Sequence, residues 1–249
     1  MGCGQGPVLT IRIETVAETG STNADLKSRV QQKDPSLTEG LWLRAERQSG
    51  GKGRLGRAWE SPVGNLYCST VVDCRDTDPS PSTLSFVTAL AVSDGIAAHI
   101  EPGSIKLKWP NDILVGGAKI CGILLERCGD HVIVGTGVNV SVTPEVQDRQ
   151  VTSLLDEGAD PELSAETLLQ EIAASFAQWL SLWRRDGLLP VLQEWRKRAH
   201  AEGTMLTINK HSSNSLIGSY AGLSDEGALR LRKPDGTLIE IHAGDVEIG

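Results

Sequence analysis

One short segment of the sequence concentrates residues that are suited to phosphate chemistry. Residues 50–57 contain four glycines and three cations, Lys52, Arg54 and Arg57. Glycine lets backbone amides come close to an anion, and the cations supply charge-assisted hydrogen bonds to phosphate or carboxylate oxygens. The segment therefore suits a polyphosphate and the charge that develops on phosphorus during group transfer. Its composition is equally typical of a solvated surface loop, and glycine entropy together with like-charge repulsion predicts mobility when it is empty.

Three common nucleotide-binding patterns fail to account for this segment. Residues 51–56 read Gly-x-Gly-x-x-Gly, but the dinucleotide fingerprint opens a helix, whereas residues 57–62 lead to another predicted strand. A protein-kinase loop also lies between strands, yet its catalytic-loop and Asp-Phe-Gly partners are missing from the sequence. The phosphate loop with a Gly-Lys-Ser/Thr ending is missing as well. The segment therefore needs a different explanation.

A second polar cluster follows further along the chain. Residues 106–112 read Lys-Leu-Lys-Trp-Pro-Asn-Asp and stand at the end of a predicted strand. Because proline interrupts the hydrogen-bond ladder of a strand, we expect Asn111 and Asp112 to project at a sheet edge or at the mouth of a site. An ordinary Asn-Asp turn is the alternative, and composition alone favours it.

Two further runs place unusual residues inside predicted strands. Lys119 begins the very apolar run at residues 119–126, where its side chain either reaches solvent or serves a bound anion. Gly135 and Gly137 lie inside the next apolar run, and small residues there often mark the close approach of a ligand to the backbone.

The periodicity of apolar residues predicts the elements that must position these groups. Alternating or short apolar runs predict strands at residues 11–16, 41–46, 65–72, 105–109, 119–127 and 131–140. Helical spacing and capping residues predict helices at residues 21–32, 84–100, 165–183 and 188–198, with Trp179, Trp183 and Trp195 in the core.

The C-terminal part of the sequence has a different texture. From Thr204 onward, short alternating runs with turn residues at 224–227 and 233–236 predict a small β domain of about five strands. The fold class is therefore α+β, in which a mixed sheet with helices is followed by a small barrel. The boundary is expected near residues 199–203.

Composition limits the classes of function and the cellular location. The 249 residues suffice for a large domain with a small one, and the net charge of -8 argues against broad binding to nucleic acid or to a membrane. No apolar stretch approaches the roughly 20 residues of a membrane span. Residues 1–7 lack a secretion signal and predict a short tail. Five cysteines, including Cys3, without zinc or disulfide spacing predict reduced thiols, a cytoplasmic location and no metal site.

Five motifs in order resemble those of the biotin protein ligases, over nearly the whole chain. They are Ser21-Thr22-Asn23, the basic loop ending at Arg57 and followed by Trp59, Lys-Trp-Pro-Asn-Asp at 108–112, Lys-x-x-Gly-Ile-Leu-x-Glu at 119–126, and Gly-x-Gly-x-Asn-Val at 135–140. Each motif alone is modest support, but five in the same order argue strongly against chance.

The resemblance implies a fold, a reaction and a partner. The fold would be a class II synthetase-like mixed sheet flanked by helices, with residues 1–200 as the catalytic domain and residues 201–249 as an SH3-like β-barrel. The reaction would be ATP-dependent ligation of biotin, with Mg²⁺, to a lysine of a biotin carboxyl carrier domain of a carboxylase. Biotinyl-5′-AMP and pyrophosphate form first, and the acceptor amine then displaces AMP. A cationic loop would lower the repulsion between the two anions and close over the labile intermediate.

The resemblance also implies roles for individual residues. Arg54, Lys119 and Asp112 are expected to be catalytic, with Asp112 orienting or deprotonating the acceptor lysine. The expected biotin-binding residues are Ser21, Thr22, Asn23, Gln48, Lys52, Gly53, Arg54, Lys119, Gly122, Gly135 and Gly137. The expected ATP- or adenylate-binding residues are Gly51, Arg57, Trp59, Lys108, Asn111 and Asn139.

The chain departs from the family pattern in three places. Lys52 stands where the family usually has arginine, which exchanges a bidentate fork for a point charge. Residues 151–154 have the family's Thr-Ser-Leu texture on the adenine side but no aromatic lid. The Ser-Thr-Asn motif comes within the first two dozen residues, so we expect the monofunctional class without an N-terminal DNA-binding domain.

Two alternatives stay open. A lipoate-type ligase or acyltransferase shares the architecture of the catalytic core, although the extended basic loop with Lys-Trp-Pro-Asn-Asp favours biotin. A non-catalytic biotin-binding module would bind biotin without forming AMP, but it has no need of the loop cations. A homodimer through a sheet edge would leave no motif, so the sequence leaves the oligomeric state open.

Overall fold

A seven-stranded mixed sheet is the framework of the larger part of the chain. The computed structural model describes residues 10–146, 149–210, 212 and 214–249, so the predicted tail at residues 1–7, with Cys3, lies outside the described residues. The strands are β1 (Arg12–Thr19), β2 (Leu41–Gln48), β3 (Leu66–Asp73), β4 (Ile105–Lys108), β5 (Asp112–Val115), β6 (Ala118–Cys128) and β7 (His131–Val138). Their order in the sheet is β1-β2-β3-β7-β6-β5-β4.

The directions of the strands confirm the predicted mixed sheet. β1 runs parallel to β2, whereas the other pairings among these described strands are antiparallel. β3 is buried from Leu66 to Val72. Since successive side chains of a strand point to opposite faces, both faces of the sheet must be covered at β3.

Helices cover the two faces unequally. The α-helices within the described residues are α1 (Thr22–Gln31), α2 (Leu84–Ala97), α3 (Ala165–Asp186) and α4 (Leu188–Arg198). α2, α3 and α4 pack on one face of the sheet, the first face, and form one apolar core with it. α1 packs on the second face, where Leu26 joins Leu41, Leu43 and Ile133. The rest of the second face, towards β6 and β5, holds the candidate site.

The tryptophans of the helical region belong to the core, as the sequence predicts. Trp183 and Trp195 are buried, and Trp195 packs edge to face on Phe86 of α2. Trp179 is half-buried, and its Nε1 donates a hydrogen bond to Asp94 at 2.7 Å. No described helix combines the length and the apolar character needed to cross a membrane.

The sequence pattern predicts no strand directly after Pro110, and this expectation is wrong. The cis peptide bond Trp109–Pro110 lies in the tight turn that joins β4 to β5, and the two strands pair antiparallel. Asp112 is therefore buried at the start of a strand instead of projecting from the sheet edge, which β4 occupies. β5 has only four residues and begins with aspartate, which is depleted in strands, so its periodicity gives no signal.

The C-terminal part forms the predicted five strands. They are β8 (Met205–Ile208), β9 (Leu216–Leu223), β10 (Leu229–Arg232), β11 (Leu238–Ile241) and β12 (Val246–Ile248). They pair antiparallel in the order β11-β10-β9-β8-β12, and no pairing of β11 with β12 closes a barrel in the described part of the chain. The predicted turns join β9 to β10 and β10 to β11. α4 ends at Arg198 and β8 begins at Met205, while a domain boundary at residue 200 stays a prediction.

The turn between β9 and β10 fastens the small sheet to the larger part. The indole Nε1 of Trp109 donates to the carbonyl oxygen of Gly227 at 3.0 Å. Gly227 has a φ of +86°, and a Cβ added there would lie 2.6 Å from Cε2 of Phe86 in α2. Glycine is required at this position both by its backbone conformation and by the close approach of the phenyl ring.

We expect Gly227→Ala to lower the free energy of unfolding by about 2–4 kcal/mol, because it adds an overpacked contact to the cost of a left-handed backbone. Gly236→Ala is the matched control, since Gly236 has the same φ of +86° but no atom within 4 Å of an added Cβ. It should cost only the backbone term of about 1–2 kcal/mol. Urea unfolding measures both values, and equal losses would contradict the packing argument.

Candidate active site

A floor of glycines lies on the second face of the sheet. Gly122 of β6 pairs with Gly137 of β7, and Gly135 lies two residues before Gly137 on the same face. A Cβ on Gly122 or Gly137 would lie 2.8 Å or 2.6 Å from the indole of Trp59, and one on Gly135 would collide with the side chain of Asn23. The glycines therefore let side chains, or a ligand in their place, lie directly on the backbone.

A β-bulge brings Lys119 to this floor. Lys119 lies three residues before Gly122, and strict alternation along β6 would point the two residues to opposite faces. The register between β5 and β6 shifts between Ile113 and Leu114, so that Leu114 pairs with Lys119 while Asp112 pairs with Gly122. Such an extra residue re-aims a side chain, and here it turns Lys119 to the same face as Asp112 and Gly122.

Asp112 is the buried partner of two lysines. Its Oδ1 accepts a hydrogen bond from Nζ of Lys119 at 2.5 Å, and its Oδ2 accepts one from Nζ of Lys108 at 3.3 Å. Burial alone would raise the pKa of Asp112, but the charges of Lys119 and Lys108 outweigh burial and the pKa lies below its usual value. Lys119 is also 5.3 Å from the centroid of the Trp59 ring. It therefore lies within the site instead of extending into solvent.

A polar network lines the end of the floor near α1. The backbone nitrogen of Thr22 donates to Oε1 of Gln48 at 2.9 Å, and the Thr22 hydroxyl lies 2.7 Å from Oγ of Ser69. Ser69 donates to Oδ1 of Asn23 at 2.6 Å, and Nδ2 of Asn23 donates to Glu126 at 2.7 Å. The structure thus brings together three of the predicted biotin-binding residues, Thr22, Asn23 and Gln48.

Ser21 has a different position from the other two residues of its motif. It stands at the N-cap of α1, but its side chain makes no capping hydrogen bond. The predicted capping role is therefore confirmed for its backbone position only. Thr22 and Asn23 do not cap the helix either, because they are buried in its first turn and bind across to the sheet.

The basic loop forms a narrow hairpin instead of the start of a helix. Lys52 pairs with Ala58 in an isolated antiparallel bridge, and the backbone nitrogen of Trp59 donates to Gly51 at 3.0 Å. Between them lies a single 3₁₀ turn at Arg54–Gly56. The rejection of the dinucleotide fingerprint is thus confirmed. Gly51 has no room for a side chain, because a Cβ would lie 2.5 Å from the carbonyl oxygen of Trp59.

The cations of the loop have unequal surroundings. Nη1 of Arg54 donates to Oδ1 of Asn111 and to the carbonyl oxygen of Gly244, each at 3.3 Å. Nη2 of Arg57 donates to Oδ1 of Asp245 at 2.9 Å. The side chain of Lys52 is exposed. The loop is therefore held against the C-terminal sheet through two arginines, and its mobility when empty stays a prediction.

Two buried polar atoms beside the floor have no hydrogen-bond partner within the described structure. They are Nε1 of Trp59 and Oδ1 of Asn139. Nδ2 of Asn139 donates to the carbonyl oxygen of Thr152 at 2.9 Å, which fixes the orientation of the amide. An unpaired buried acceptor is costly, and a ligand with an N–H group would satisfy it.

A cavity of about 810 Å³ adjoins this end of the site. It is lined by the turn between β5 and β6 and by parts of residues 144–152, including Val151 and Thr152. Lys119 follows Ala118 and forms a parallel bridge with Val151. Both of these residues line the cavity, so the lysine lies next to it. None of the predicted site residues lines the cavity, because Trp59 covers the glycine floor itself.

Sequence reasoning missed several residues that complete the site. Ser69 lies opposite Gly135 in β3 and could have been found by aligning the alternation of the two strands. Asp245 and Gly244 hold the arginines of the loop from about 190 residues away. No local signal marks them, because only the packing of the C-terminal sheet brings them to the loop.

Known proteins are similar to this chain in both its larger part and its C-terminal part. The profile of the Biotin/lipoate A/B protein ligase family matches residues 18–139, and that of the Biotin protein ligase C terminal domain matches residues 214–249. The biotin--[acetyl-CoA-carboxylase] ligase of Mycobacterium tuberculosis is 34% identical over 242 residues, covering 94% of this chain and 88% of the relative. The ligase of the same name from Paracoccus denitrificans is 33% identical over 250 residues, covering 94% and 99%.

A solved structure has the same fold over nearly the whole chain. The biotin protein ligase from Aquifex aeolicus, in complex with biotin and ATP, superposes with a TM-score of 0.80 at 26% sequence identity. The match covers 95% of this chain and 98% of that structure. Because both profiles match, and because relatives above 30% identity align along most of their length, the chain belongs to the biotin protein ligase family.

Proposed function

We propose that this ligase joins biotin to a lysine of a biotin carboxyl carrier domain, at the expense of ATP. A biotin carboxylate oxygen attacks the α-phosphorus of ATP, and the bond to pyrophosphate breaks. The acceptor amine then attacks the acyl carbon of biotinyl-5′-AMP, loses a proton and releases AMP. The observation that carries the proposal is Lys119, which a bulge turns onto a glycine floor and which the buried carboxylate of Asp112 holds there.

The network near α1 suits the head group of biotin. Thr22, Asn23 and Gln48 offer hydroxyl and amide groups, and Ser69 joins them. A ureido ring is uncharged and carries both donors and acceptors, so it pairs with such groups without the cost of burying a charge. Gly135 would leave room for the ring beside Asn23. Ser21 would lie at the edge of this pocket.

The carboxylate of biotin would replace Asp112 as the partner of Lys119. Asp112 holds Lys119, and an incoming carboxylate or α-phosphate would offer Lys119 an anion of the same kind. Arg54 and Arg57 would turn from Gly244 and Asp245 to the phosphates, with Lys52 and Gly53 beside them. The cations then face the oxygens on which charge develops.

This exchange gives Asp112 a role in the second step. While Lys119 and Lys108 both contact it, the pKa of Asp112 is low and the carboxylate is a weak base. When Lys119 moves to the substrate, Asp112 loses its nearest cation. Asp112 stays buried, and burial raises the pKa of a carboxyl group. Asp112 would then accept a hydrogen bond from the acceptor amine and orient it, and would take up its proton more readily.

The adenylate would lie towards the cavity beside Thr152. Oδ1 of Asn139 would accept an N–H of the base, and Trp59 would move from the glycine floor and contact the adenylate. Mg²⁺ enters with ATP. Among the described residues no group of three or more His, Cys, Asp or Glu side chains is placed to hold a metal ion. Mg²⁺ bound to ATP usually takes its ligands from the phosphate oxygens, water and one or two carboxylates.

The cellular setting of this proposal is a cytosolic enzyme with a protein partner. Cys68, Cys74, Cys121 and Cys128 are free thiols, and burial raises the pKa of Cys68 and Cys121, which makes them unreactive. The net charge of -8 supports a ligase without nucleic-acid or membrane partners. Among the described strands β1 pairs only with β2, so its outer edge would suit a second copy in a homodimer.

A transfer assay tests the function. The enzyme, ATP, Mg²⁺ and a carrier domain are incubated with biotin or with lipoate, and mass spectrometry reads the acceptor. We expect one biotinyl group on the acceptor lysine and, without acceptor, biotinyl-5′-AMP retained on the enzyme. Lipoate as the sole substrate would support the lipoate-type ligase instead. Biotin binding without release of pyrophosphate would support a non-catalytic module.

Lys119→Ala should slow adenylate formation by roughly 10- to 150-fold, which corresponds to the loss of a charge-assisted contact of about 1.5–3 kcal/mol. Pyrophosphate release in the absence of acceptor measures this step. Lys233→Ala removes a half-buried lysine in the turn between β10 and β11, outside the candidate site, and serves as the control. An unchanged first step in Lys119→Ala would mean that the lysine serves only to neutralise Asp112.

Arg54→Ala should leave the fold intact but impair formation or retention of the adenylate, because the half-buried guanidinium would contact the phosphates. Leu55→Ala is the control from the same loop, since its side chain is 82% exposed. Release of AMP without acceptor reports loss of the intermediate to water. Transfer and retention rates close to those of the unchanged enzyme would remove Arg54 from the site.

A further inference from the structure

A second polar cavity lies at the junction of the two parts of the chain. It has a volume of about 330 Å³ and is lined by Lys106 of β4, the end of α4, His200 in the following segment, and Tyr220 of β9. Ala199 forms a parallel bridge with Leu107, so this segment runs along the free edge of β4. The proposals made above for biotin and ATP use none of these side chains.

Two residues that line this cavity each have one buried polar atom without a partner in the described structure. These atoms are the hydroxyl oxygen of Tyr220 and Nε2 of His200. Tyr220 is only 6% exposed, and burial raises the pKa of its hydroxyl to about 12, so it stays a neutral donor. Burial also lowers the pKa of His200, and Lys108 and Lys106 lower it further. Both groups are therefore hydrogen-bonding groups without charge at neutral pH.

Lys106 adds a cation that no described residue pairs. Arg196 is bound to carbonyl oxygens of the β9–β10 turn and Lys197 to Glu194, whereas Lys106 makes no ion pair within the part of the chain that the structure describes. One unpaired ammonium, beside the Tyr220 hydroxyl and an Nε2 of His200 that donates in one of the two neutral tautomers, matches a single carboxylate. A polyphosphate fits less well, because one unpaired ammonium compensates one negative charge only, and Glu202 in the same cavity would repel the remaining charges.

The position of the cavity indicates where that carboxylate comes from. Lys106 and Lys108 lie two residues apart on the same face of β4, about 6–7 Å along the strand. Lys108 contacts Asp112, which in turn contacts Lys119. The cavity is thus the next position outward from the reacting groups, at the edge strand of the sheet. We expect a protein that delivers a lysine to Lys119 and Asp112 to lie over this edge.

We propose that this cavity, with Lys106, His200 and Tyr220 as its hydrogen-bonding groups, binds an acidic side chain of the protein that accepts biotin. The inference rests on the proposed function for the existence of that acceptor. With a net charge of -8, the enzyme repels an acidic partner at long range, so a local cationic cavity would fix where and in which orientation such a partner docks.

Two enzyme variants separate acceptor binding from adenylate formation. For Lys106→Gln and Tyr220→Phe, we expect the KM for the acceptor domain to rise about tenfold, with kcat and pyrophosphate release unchanged. Tyr220→Phe should not lower the Tm, because it removes only an unpaired buried hydroxyl. Arg185→Gln is the control, since it removes one exposed charge at the end of α3. An unchanged KM in both variants would overturn the proposal.

Variants of the acceptor identify the acidic residue that the cavity binds. Each exposed Asp or Glu of the carrier domain is changed singly to its amide and tested with the unchanged enzyme and with Lys106→Gln. One such change should raise the KM in the unchanged enzyme and add nothing in Lys106→Gln, because contacting residues are not additive. Additive effects for every acidic residue would overturn the proposal. Slower pyrophosphate release by Lys106→Gln would also overturn it, because the cavity would then serve ATP.

A direct binding measurement keeps this inference apart from the proposed function. Fluorescence anisotropy of the labelled, biotin-free carrier domain reports docking without any chemistry. Tenfold weaker binding to Lys106→Gln supports the cavity even if no biotin is transferred, in which case only the proposed reaction fails. Equal binding to Lys106→Gln, Tyr220→Phe and the unchanged enzyme, in the presence of normal transfer, rejects the cavity and leaves the reaction intact.

Discussion

The carboxylate of Asp112 is buried between two ammonium groups, and the arrangement of the site depends on this contact. A buried carboxylate without cations would take up a proton. Lys108 and Lys119 keep it ionised, and in return it holds the long side chain of Lys119 over the glycine floor. Removing one partner of a buried ion pair costs about 3–5 kcal/mol, because the other charge is left uncompensated. Asp112 therefore makes with Lys119 the same type of contact that an anionic substrate would make.

Three backbone features have to agree for that contact to form. The tight turn after Trp109 returns the chain as β5, so that Asp112 pairs with Lys108 across the strands. The bulge then turns Lys119 to the face of Asp112. On that face Gly122 and Gly137 carry no side chain, which leaves space that Trp59 fills in the empty enzyme. Charge, register and the absence of side chains thus act together, and a change in any one of them would separate the lysine from the floor.

The sequence predicts the long elements and the identity of the site residues much better than their geometry. Apolar content and length are sufficient for β3 and α2, which are buried on nearly all sides, and helical periodicity is sufficient for α3, which has one buried face. Apolar periodicity is not sufficient for β5, which is short and begins with aspartate. Nor does it show that Lys119 and Gly122 share a face, since the bulge breaks the period of two on which such a prediction depends. Asp245 contacts Arg57 only through the tertiary packing of the C-terminal sheet.

The C-terminal sheet contributes to the site from two directions, which gives it more than a structural role. Gly244 and Asp245 hold the arginines of the basic loop, and the turn at Gly227 fixes the sheet to Trp109, next to the turn that positions Asp112. Asp245 offers the arginines a single carboxylate at a half-exposed position, where an ion pair contributes no more than about 1 kcal/mol. A triphosphate offers more charge and more acceptors. The contact is thus weak enough for ATP to replace it.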